Sequence, residues 1–470
     1  MLINPFTLVS PPLFTAADLR AIDQQWASRH PDISLMERAG NAAAALAGTL
    51  ADESGGPVLV LAGPGNNGGD AMVVAHRLSM LGFRVDVVSL ADPVRLPPDA
   101  QYAWSTWRGC GGSAFTEIPA SQRYSLAIDG LFGIGLKRDI MDEAARWIAQ
   151  VNRMNCPKLA LDVPSGLDSD SGSLRGCALH ADHTLTFIGL KPGLLTANGP
   201  DYTGQLHLDT LDISSAFLPA STGIALTQPE SRHCLPARAQ NSHKGMYGHV
   251  GIIGGGNGMV GACLIAGRAA LRQGAGSVTL GVLDERIVVD YGEPRLMFAQ
   301  PENLLNARLD VLAIGPGLGQ SPRAHALLQT ALTATCPLVL DADALNLLAG
   351  DHELAHLLTR RNHPTLLTPH PAEAARMLET GVAEVQADRI EAARRLSRKT
   401  HAHVALKGSG TVIVHPDGHY AINTTGGPWL AQAGSGDRLT GMVAALLGQG
   451  LSAGNALESA VWLHGKAEPA

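Results

Sequence analysis

The stretch PVLVLAGPGNNGGDA, residues 57–71, decides the fold. Its opening, Pro57 to Ala62, is a short unbroken apolar run of the kind that forms a strand buried on both faces of a parallel sheet. Gly63-Pro64-Gly65-Asn66-Asn67-Gly68-Gly69-Asp70 follows, and a helix is expected from Ala71 to about Leu81. Strand, glycine loop and helix in that order seat phosphate groups at a helix N-terminus. Gly63-x-Gly65-x-x-Gly68 matches the dinucleotide fingerprint in form, with Asp86 where a ribose acid would sit. Pro64 removes one loop N–H, however, while Asn66, Asn67 and Asp70 add polar side chains. Such a loop suits a polar ligand or a cation; a turn using asparagine for its left-handed propensity is the plainer alternative.

Outward from this stretch, strands and helices alternate. Helices are expected from Thr15 to Trp26, after a capping-box pattern at Ser34 up to about Leu50, and near 98–108 and 142–154. Strands are expected at 84–90, 125–129, 158–163 and 184–188, which predicts a parallel sheet with helices on both faces. Ligands of such sheets bind beyond the C-terminal strand ends, so Asn66, Asn67, Asp70, Asp129, Asp162 and Ser165 should share one crevice. Their oxygen donors suit a hard cation, and one carboxylate could work as acid and base.

From Asp212 to about Gln240 the pattern dissolves into Ser, Pro, Thr and Ala, which reads as a linker, assigned to 216–235 between domains at 1–215 and 236–470. A second α/β series follows. His249 to Ile253 ends in Gly254-Gly255-Gly256-Asn257-Gly258, Asp310 to Ile314 ends in Gly315-Pro316-Gly317-Leu318-Gly319, and Thr365 to Thr368 ends in Pro369-His370-Pro371-Ala372-Glu373. Lys407-Gly408-Ser409-Gly410-Thr411 joins two strands by a turn that is either a nucleotide site or a plain hairpin. Gly434-Ser435-Gly436-Asp437 then opens a helical pattern. Unpaired N–H groups there attract phosphate, and a carboxylate beside them fits a base that deprotonates an attacking hydroxyl; an ordinary N-cap aspartate fits the same four residues.

The totals narrow the class. At 470 residues, 45% hydrophobic with 53 glycines, the chain has the composition of a soluble α/β enzyme of about two domains. A net charge of -7 argues against nucleic-acid binding by bulk electrostatics. Six dispersed cysteines (Cys110, Cys156, Cys177, Cys234, Cys263, Cys336) contain no Cys-x-x-Cys pair, so neither a zinc site nor a disulfide framework is expected. No long apolar run suggests a membrane span, and a cytoplasmic setting is expected.

The blocks GPGNNGGDA (63–71), DGLFGIGL (129–136), DVPSGLDSDSG (162–172) and TFIGLKPG (186–193) together resemble the NAD(P)H-hydrate epimerase domain, a Rossmann-like three-layer fold. The resemblance implies that hydrated NADH or NADPH contacts Asn66, Asn67, Gly68, Gly69 and Asp70, then Gly133, Ile134, Gly135, Leu136, Lys137, Arg138 and Asp139, and Asp162. It also implies K⁺ on Asn67, Asp129 and Ser165. NSHKG (241–245), IGPGLG (314–319), DADALN (341–346), TPHPAE (368–373), KGSGT (407–411) and GSGD (434–437) resemble the ADP- or ATP-dependent NAD(P)H-hydrate dehydratase domain, a ribokinase-like fold. That implies hydrate contacts at Ala262, Gly317, His370 and Asp437, with the Mg²⁺-bound nucleotide at Lys407, Gly408, Ser409, Gly410, Thr411 and Gly436. A homo-oligomer acting on small molecules is expected. Asp437 is the expected base of the second domain and Asp162 of the first.

Three departures from the family pattern stand out: Arg438 after the aspartate, Gly426-Gly427-Pro428-Trp429 in place of a glycine-asparagine-proline-glycine turn, and a sequence that stops at Ala470. The last leads to the expectation of a short or missing final helix. Alternative readings are a small-molecule kinase that releases its phosphorylated product, with a non-catalytic dinucleotide-binding domain ahead of it, and a binding module.

Overall fold

The computed structural model describes residues 2–52, 56–120, 123–228 and 238–467. Cys234 and part of the 216–235 linker lie outside the described residues. The chain forms two compact units, Met1–Gly223 and Ile224–Ala470. Among the described residues no helix is long and apolar enough to cross a membrane.

In the first unit Ala16–Arg29 (α1) and Leu35–Leu50 (α2) precede β1 (Val58–Ala62). Then come α3 (Asn66–Met80), β2 (Val85–Ser89), α4 (Pro98–Gly109), β3 (Ala114–Phe115), β4 (Leu126–Gly130) and α5 (Asp142–Asn152). The unit closes with β5 (Lys158–Leu161), β6 (His183–Phe187) and β7 (Gln205–Asp209). The seven strands lie in the order β3-β2-β1-β4-β5-β6-β7, parallel throughout. Val58, Val60 and Ala62 enter one apolar core while Leu59 and Leu61, their alternates, enter a second. A strand buried on both faces must be apolar at every position, which accounts for the unbroken run VLVLA. The order reverses direction between β1 and β4, and in an open parallel sheet that reversal leaves a crevice beyond the strand ends.

The second unit repeats the principle with a different order. Its strands are β8 (Gly223–Leu226), β9 (His249–Gly254), β10 (Ser277–Val282), β11 (Met297–Ala299), β12 (Val311–Ile314), β13 (Leu338–Leu340), β14 (Thr365–Leu367), β15 (His403–Leu406), β16 (Val412–Val414) and β17 (Tyr420–Asn423). They run β8-β17-β16-β15-β14-β13-β12-β9-β10-β11. The stretch β11 to β15 is parallel, and β15-β16-β17 is an antiparallel meander. Direction again reverses beside β9, between β10 and β12. One face of the sheet is covered by α6 (Val260–Arg272), α11 (Ser435–Gly448) and α12 (Ala453–Lys466), which share a core with Val250, Ile252 and Ala313. Between them in sequence lie α7 (Pro322–Ala331), α8 (Asp343–Gly350), α9 (Pro371–Leu378) and α10 (Arg389–Thr400).

The α/β class and the two-sheet plan are those expected. Three local expectations are corrected. The helix after Gly65 begins at Asn66 rather than Ala71, because Gly65, extended at φ −117, acts as its cap and the asparagines form its first turn. Part of the supposed linker, Gly223–Leu226, is a strand. The final helix is neither short nor missing: α12 spans 14 residues, capped by the Ser452 hydroxyl.

Candidate functional site

Each sheet reversal gathers polar side chains. In the first unit a cavity of about 1210 Å³ opens beyond β1, β4 and β5. Asn66, Asn67 and Asp70 line it from the first turns of α3, Gly133, Ile134, Gly135, Leu136, Lys137 and Arg138 from the segment after β4, and Asp162 from the end of β5. Gly68, Gly69, Asp129, Asp139 and Ser165 do not line it, so the expected single crevice gathers Asn66, Asn67, Asp70 and Asp162 but not Asp129 and Ser165, which are hydrogen-bonded to each other. A Cβ on Gly68 would fall 2.0 Å from the Gly63 carbonyl oxygen, and one on Gly69 would meet Met36 at 2.5 Å. Both glycines therefore serve the packing of α3. Arg20 of α1 donates from Nη2 to the Ile134 carbonyl at 2.8 Å and so holds the 133–138 segment.

Asp162 lies at the end of β5 and lines the cavity. It follows β5 in the left-handed region, φ 67, a conformation that costs energy for a residue with a side chain. Lys191, 1% exposed, donates to Asp162 Oδ1 at 2.5 Å, to Thr186 Oγ1 at 2.8 Å and to the Phe187 carbonyl at 2.8 Å. Burial pulls the Lys191 ammonium below its usual range and the Asp162 carboxylate pulls the other way. A Cβ at Gly133 would lie 3.4 Å from Asp162 Oδ2 and from Asn67 Cγ, so this glycine faces the second carboxylate oxygen and the Asn67 amide. Burial, then Asp162 and Asp23, raise Asp70 well above the carboxylate range.

Asp129, 1% exposed, accepts from the Ser165 hydroxyl at 2.7 Å, the Ser165 N–H at 2.8 Å and the Leu131 N–H at 3.1 Å. The Asn67 amide is buried with neither Oδ1 nor Nδ2 partnered among the described residues. A buried amide with no partner is rare in a folded chain.

In the second unit the centre is Asp437, in the first turn of α11 behind Gly434 at φ 84. Among the described residues its carboxylate takes no hydrogen bond and no ion pair. Burial and the nearby Asp341 push it up to about 6, against the opposing pull of Lys407. Lys407 donates to Asp341 Oδ1 at 2.8 Å, and Thr440 of α11 donates to Asp341 Oδ2 at 2.7 Å. A Cβ on Gly436 would stand 3.2 Å from Lys407 Nζ, so the bare glycine brings ammonium and helix N-terminus together. The arrangement places a lysine ammonium and an unpaired carboxylate together at a helix N-terminus. His370 caps α9: its Nδ1 accepts from Ala372 and Glu373 N–H groups, while Glu373 accepts the His370 N–H at 2.7 Å. Gly317 closes the β12 turn, its carbonyl accepting from the Gly256 N–H. Ala262 lies in the first turn of α6. No three His, Cys, Asp or Glu side chains among the described residues gather as a metal cage.

Comparison with known proteins decides the family. The NAD(P)H-hydrate dehydratase model matches residues 250–469, and the YjeF-related protein N-terminus model matches residues 32–193. The bifunctional NAD(P)H-hydrate repair enzyme Nnr of Escherichia coli is 38% identical over 423 residues, covering 87% of this chain and 79% of its own. Its counterpart from Moorella thermoacetica is 37% identical over 490 residues, covering 97% and 91%. The chain belongs to the bifunctional NAD(P)H-hydrate repair enzymes. Among solved structures, an ADP/ATP-dependent NAD(P)H-hydrate dehydratase from Bacillus subtilis, co-crystallised with ATP/Mg²⁺, is similar at 36% identity and TM-score 0.44, over 50% of this chain and 84% of that one.

Two residues central to this repair enzyme were not singled out from its sequence. Lys191 and Asp341 meet partners 29, 66 and 99 positions away, so no local spacing announces them. Their weak signals were present: a lysine inside an apolar strand-end block, and an acidic residue directly after β13. Ala342, between Asp341 and Asp343, has φ 49, a second strained residue at a strand end. Of the departures from the family pattern, Trp429 is 42% exposed and Arg438 is exposed.

Proposed function

We propose that the first unit interconverts the R and S forms of hydrated NADH and NADPH and that the second dehydrates the S form at the expense of ADP or ATP. The observation that carries the reading is Asp437, an unpaired carboxylate raised to about 6 at the mouth of an anion site built from Lys407 and the α11 N-terminus. A base near that value is deprotonated at neutral pH yet strong enough to take a hydroxyl proton.

The hydrated ring carries a hydroxyl, a poor leaving group. Asp437 takes its proton as the oxygen attacks the terminal phosphorus of the nucleotide, and the bond to the nucleotide's bridging oxygen breaks. Lys407, held by Asp341, and the Gly434–Gly436 backbone offset the charge on the transferred group. The ring nitrogen then expels phosphate, and loss of a proton from the adjoining carbon restores the double bond. Mg²⁺ would neutralise phosphate charge, as a cation that arrives on the nucleotide and keeps most of its waters. Lys407 to Thr411 and Gly436 are the proposed nucleotide contacts, and Ala262, Gly317 and His370 the proposed hydrate contacts beside Asp437.

In the first unit Asp162 is the proposed proton-transfer residue. Lys191 fixes its Oδ1 and leaves Oδ2 toward the space above Gly133. K⁺ on Asn67, Asp129 and Ser165 would satisfy the orphaned amide oxygen and organise the 130–135 turn. The reading is tested with separated epimers. The S form should return reduced nicotinamide only with ADP or ATP, and R should convert to S without nucleotide. Accumulation of a stable phosphorylated hydrate would instead favour a simple kinase.

A further inference from the structure

α12, the helix that the sequence pattern gave reason to expect short or missing, brings His464 to the phosphate cradle. His464 is 8% exposed, and its Nε2 lies 3.3 Å from the hydroxyl of Ser435, the first residue of α11. Neither side chain was among the groups assigned to nucleotide or hydrate. The end of α12 is fixed in place. Gly465 lies so close to the 424–426 segment that a Cβ would meet Thr425 Oγ1 at 2.2 Å. Thr425 donates to the Trp462 carbonyl at 2.9 Å, and Trp462 Nε1 donates to the Thr227 carbonyl at 2.7 Å. The same segment leads out of β17, whose Asn423 N–H donates to the Thr411 carbonyl of the nucleotide turn. His464 therefore sits at the start of α11 on a helix end that is packed and bonded to the segment leading out of β17.

We infer that His464 is a positioning residue that holds the Ser435 hydroxyl as an additional donor to the phosphoryl group transferred at Asp437. The inference rests on the dehydratase reading of this cradle. The proton count supports it. Burial, with the charges of Arg438 and Lys407, outweighs a hydrogen bond to the Ser435 backbone and holds His464 neutral down to about 4, so its imidazole carries one N–H. With that proton on Nε2, His464 donates to Ser435 Oγ and the serine hydroxyl proton is free to point at an anion. With Nε2 bare, the hydroxyl proton is spent on the imidazole. An anionic phosphoryl group selects the first tautomer, and a hydrogen bond to a charged acceptor is the strong kind.

The test uses the full chain, with ADP–Mg²⁺ binding by calorimetry and both activities measured on each variant. Ser435→Ala and His464→Leu should each weaken ADP binding and raise its KM on the order of tenfold or more. The double variant should be no worse than either single, because the two act as one unit. His464→Gln, whose amide N–H can also donate to Ser435, should recover most of the loss. Epimerisation should stay at the wild-type rate throughout, which reports on folding of the first unit. If His464→Leu unfolds the second unit, Ser435→Ala alone decides. Unchanged ADP binding in Ser435→Ala, or additive losses in the double variant, overturns the inference. Wild-type protein that binds neither ADP nor ATP overturns the dehydratase reading and the inference together.

Discussion

At Asp437 burial raises the cost of a negative charge while the chemistry needs one. A carboxyl at about 6 is protonated below that pH, so the dehydratase rate should fall along an acid limb centred near 6, while epimerisation should not follow that limb. The stability consequence has the opposite sign to that of a paired aspartate. A folded-state value above the ordinary one of 3.8 makes the ionised form a burden on the native state, fully present above about 6 and gone below about 4. Asp437→Asn should therefore melt higher than wild type at neutral pH, with the difference closing as the pH falls to 4, measured by calorimetry across that range. Lys191 presents the reverse case. It is the buried partner of Asp162, and removing one member of such a pair leaves the other charged and unpaired. Lys191→Met should destabilise the first unit by roughly 3–5 kcal/mol, as urea unfolding would read, and should lower epimerisation by misplacing the Asp162 carboxylate. An unchanged urea midpoint in Lys191→Met would contradict the buried pair.

At the scale of elements, the β1–α3 corner shows what the sequence conveyed and what it withheld. VLVLA read correctly as a strand buried on both faces, because such a strand has no polar positions to alternate. The start of α3 was read five residues late, because Asn66 to Asp70 look like loop residues until the Gly65 cap is seen. β3, of two residues, and β7, beyond the last quoted block, have too little pattern to stand out. Strand order in the second sheet was not legible, since neighbours there are set by crossovers rather than by adjacent sequence. The acid and base groups at strand ends were legible as clusters; Lys191 and Asp341 were not, since each is recognisable only through a partner far along the chain. The corner also gives a paired test. Gly68→Ala would force a Cβ to within 2.0 Å of the Gly63 oxygen, whereas a Cβ at Gly65 meets nothing within 4 Å. Epimerase assays and thermal melts should show Gly68→Ala strongly impaired and Gly65→Ala close to wild type.

For the whole molecule, two units each with its own core and reactive crevice lead to two separable activities. Asp162→Asn should stop R-to-S conversion and leave nucleotide-driven recovery of the S form intact, while Asp437→Asn should do the converse. Exchange of K⁺ for Na⁺ should slow only epimerisation, and Asn67→Ala should abolish the difference between the two salts, because the orphaned Asn67 oxygen is the proposed reason for preferring the larger ion. Joining both reactions in one chain lets the entire damaged pool be drawn through the S form. The measurement that bears most directly on the account is the return of reduced-nicotinamide absorbance from the purified S hydrate, with Mg²⁺ and ADP or ATP, for wild type and Asp437→Asn. Full recovery by wild type with none by the variant is the expected result; recovery by Asp437→Asn at the wild-type rate would contradict it.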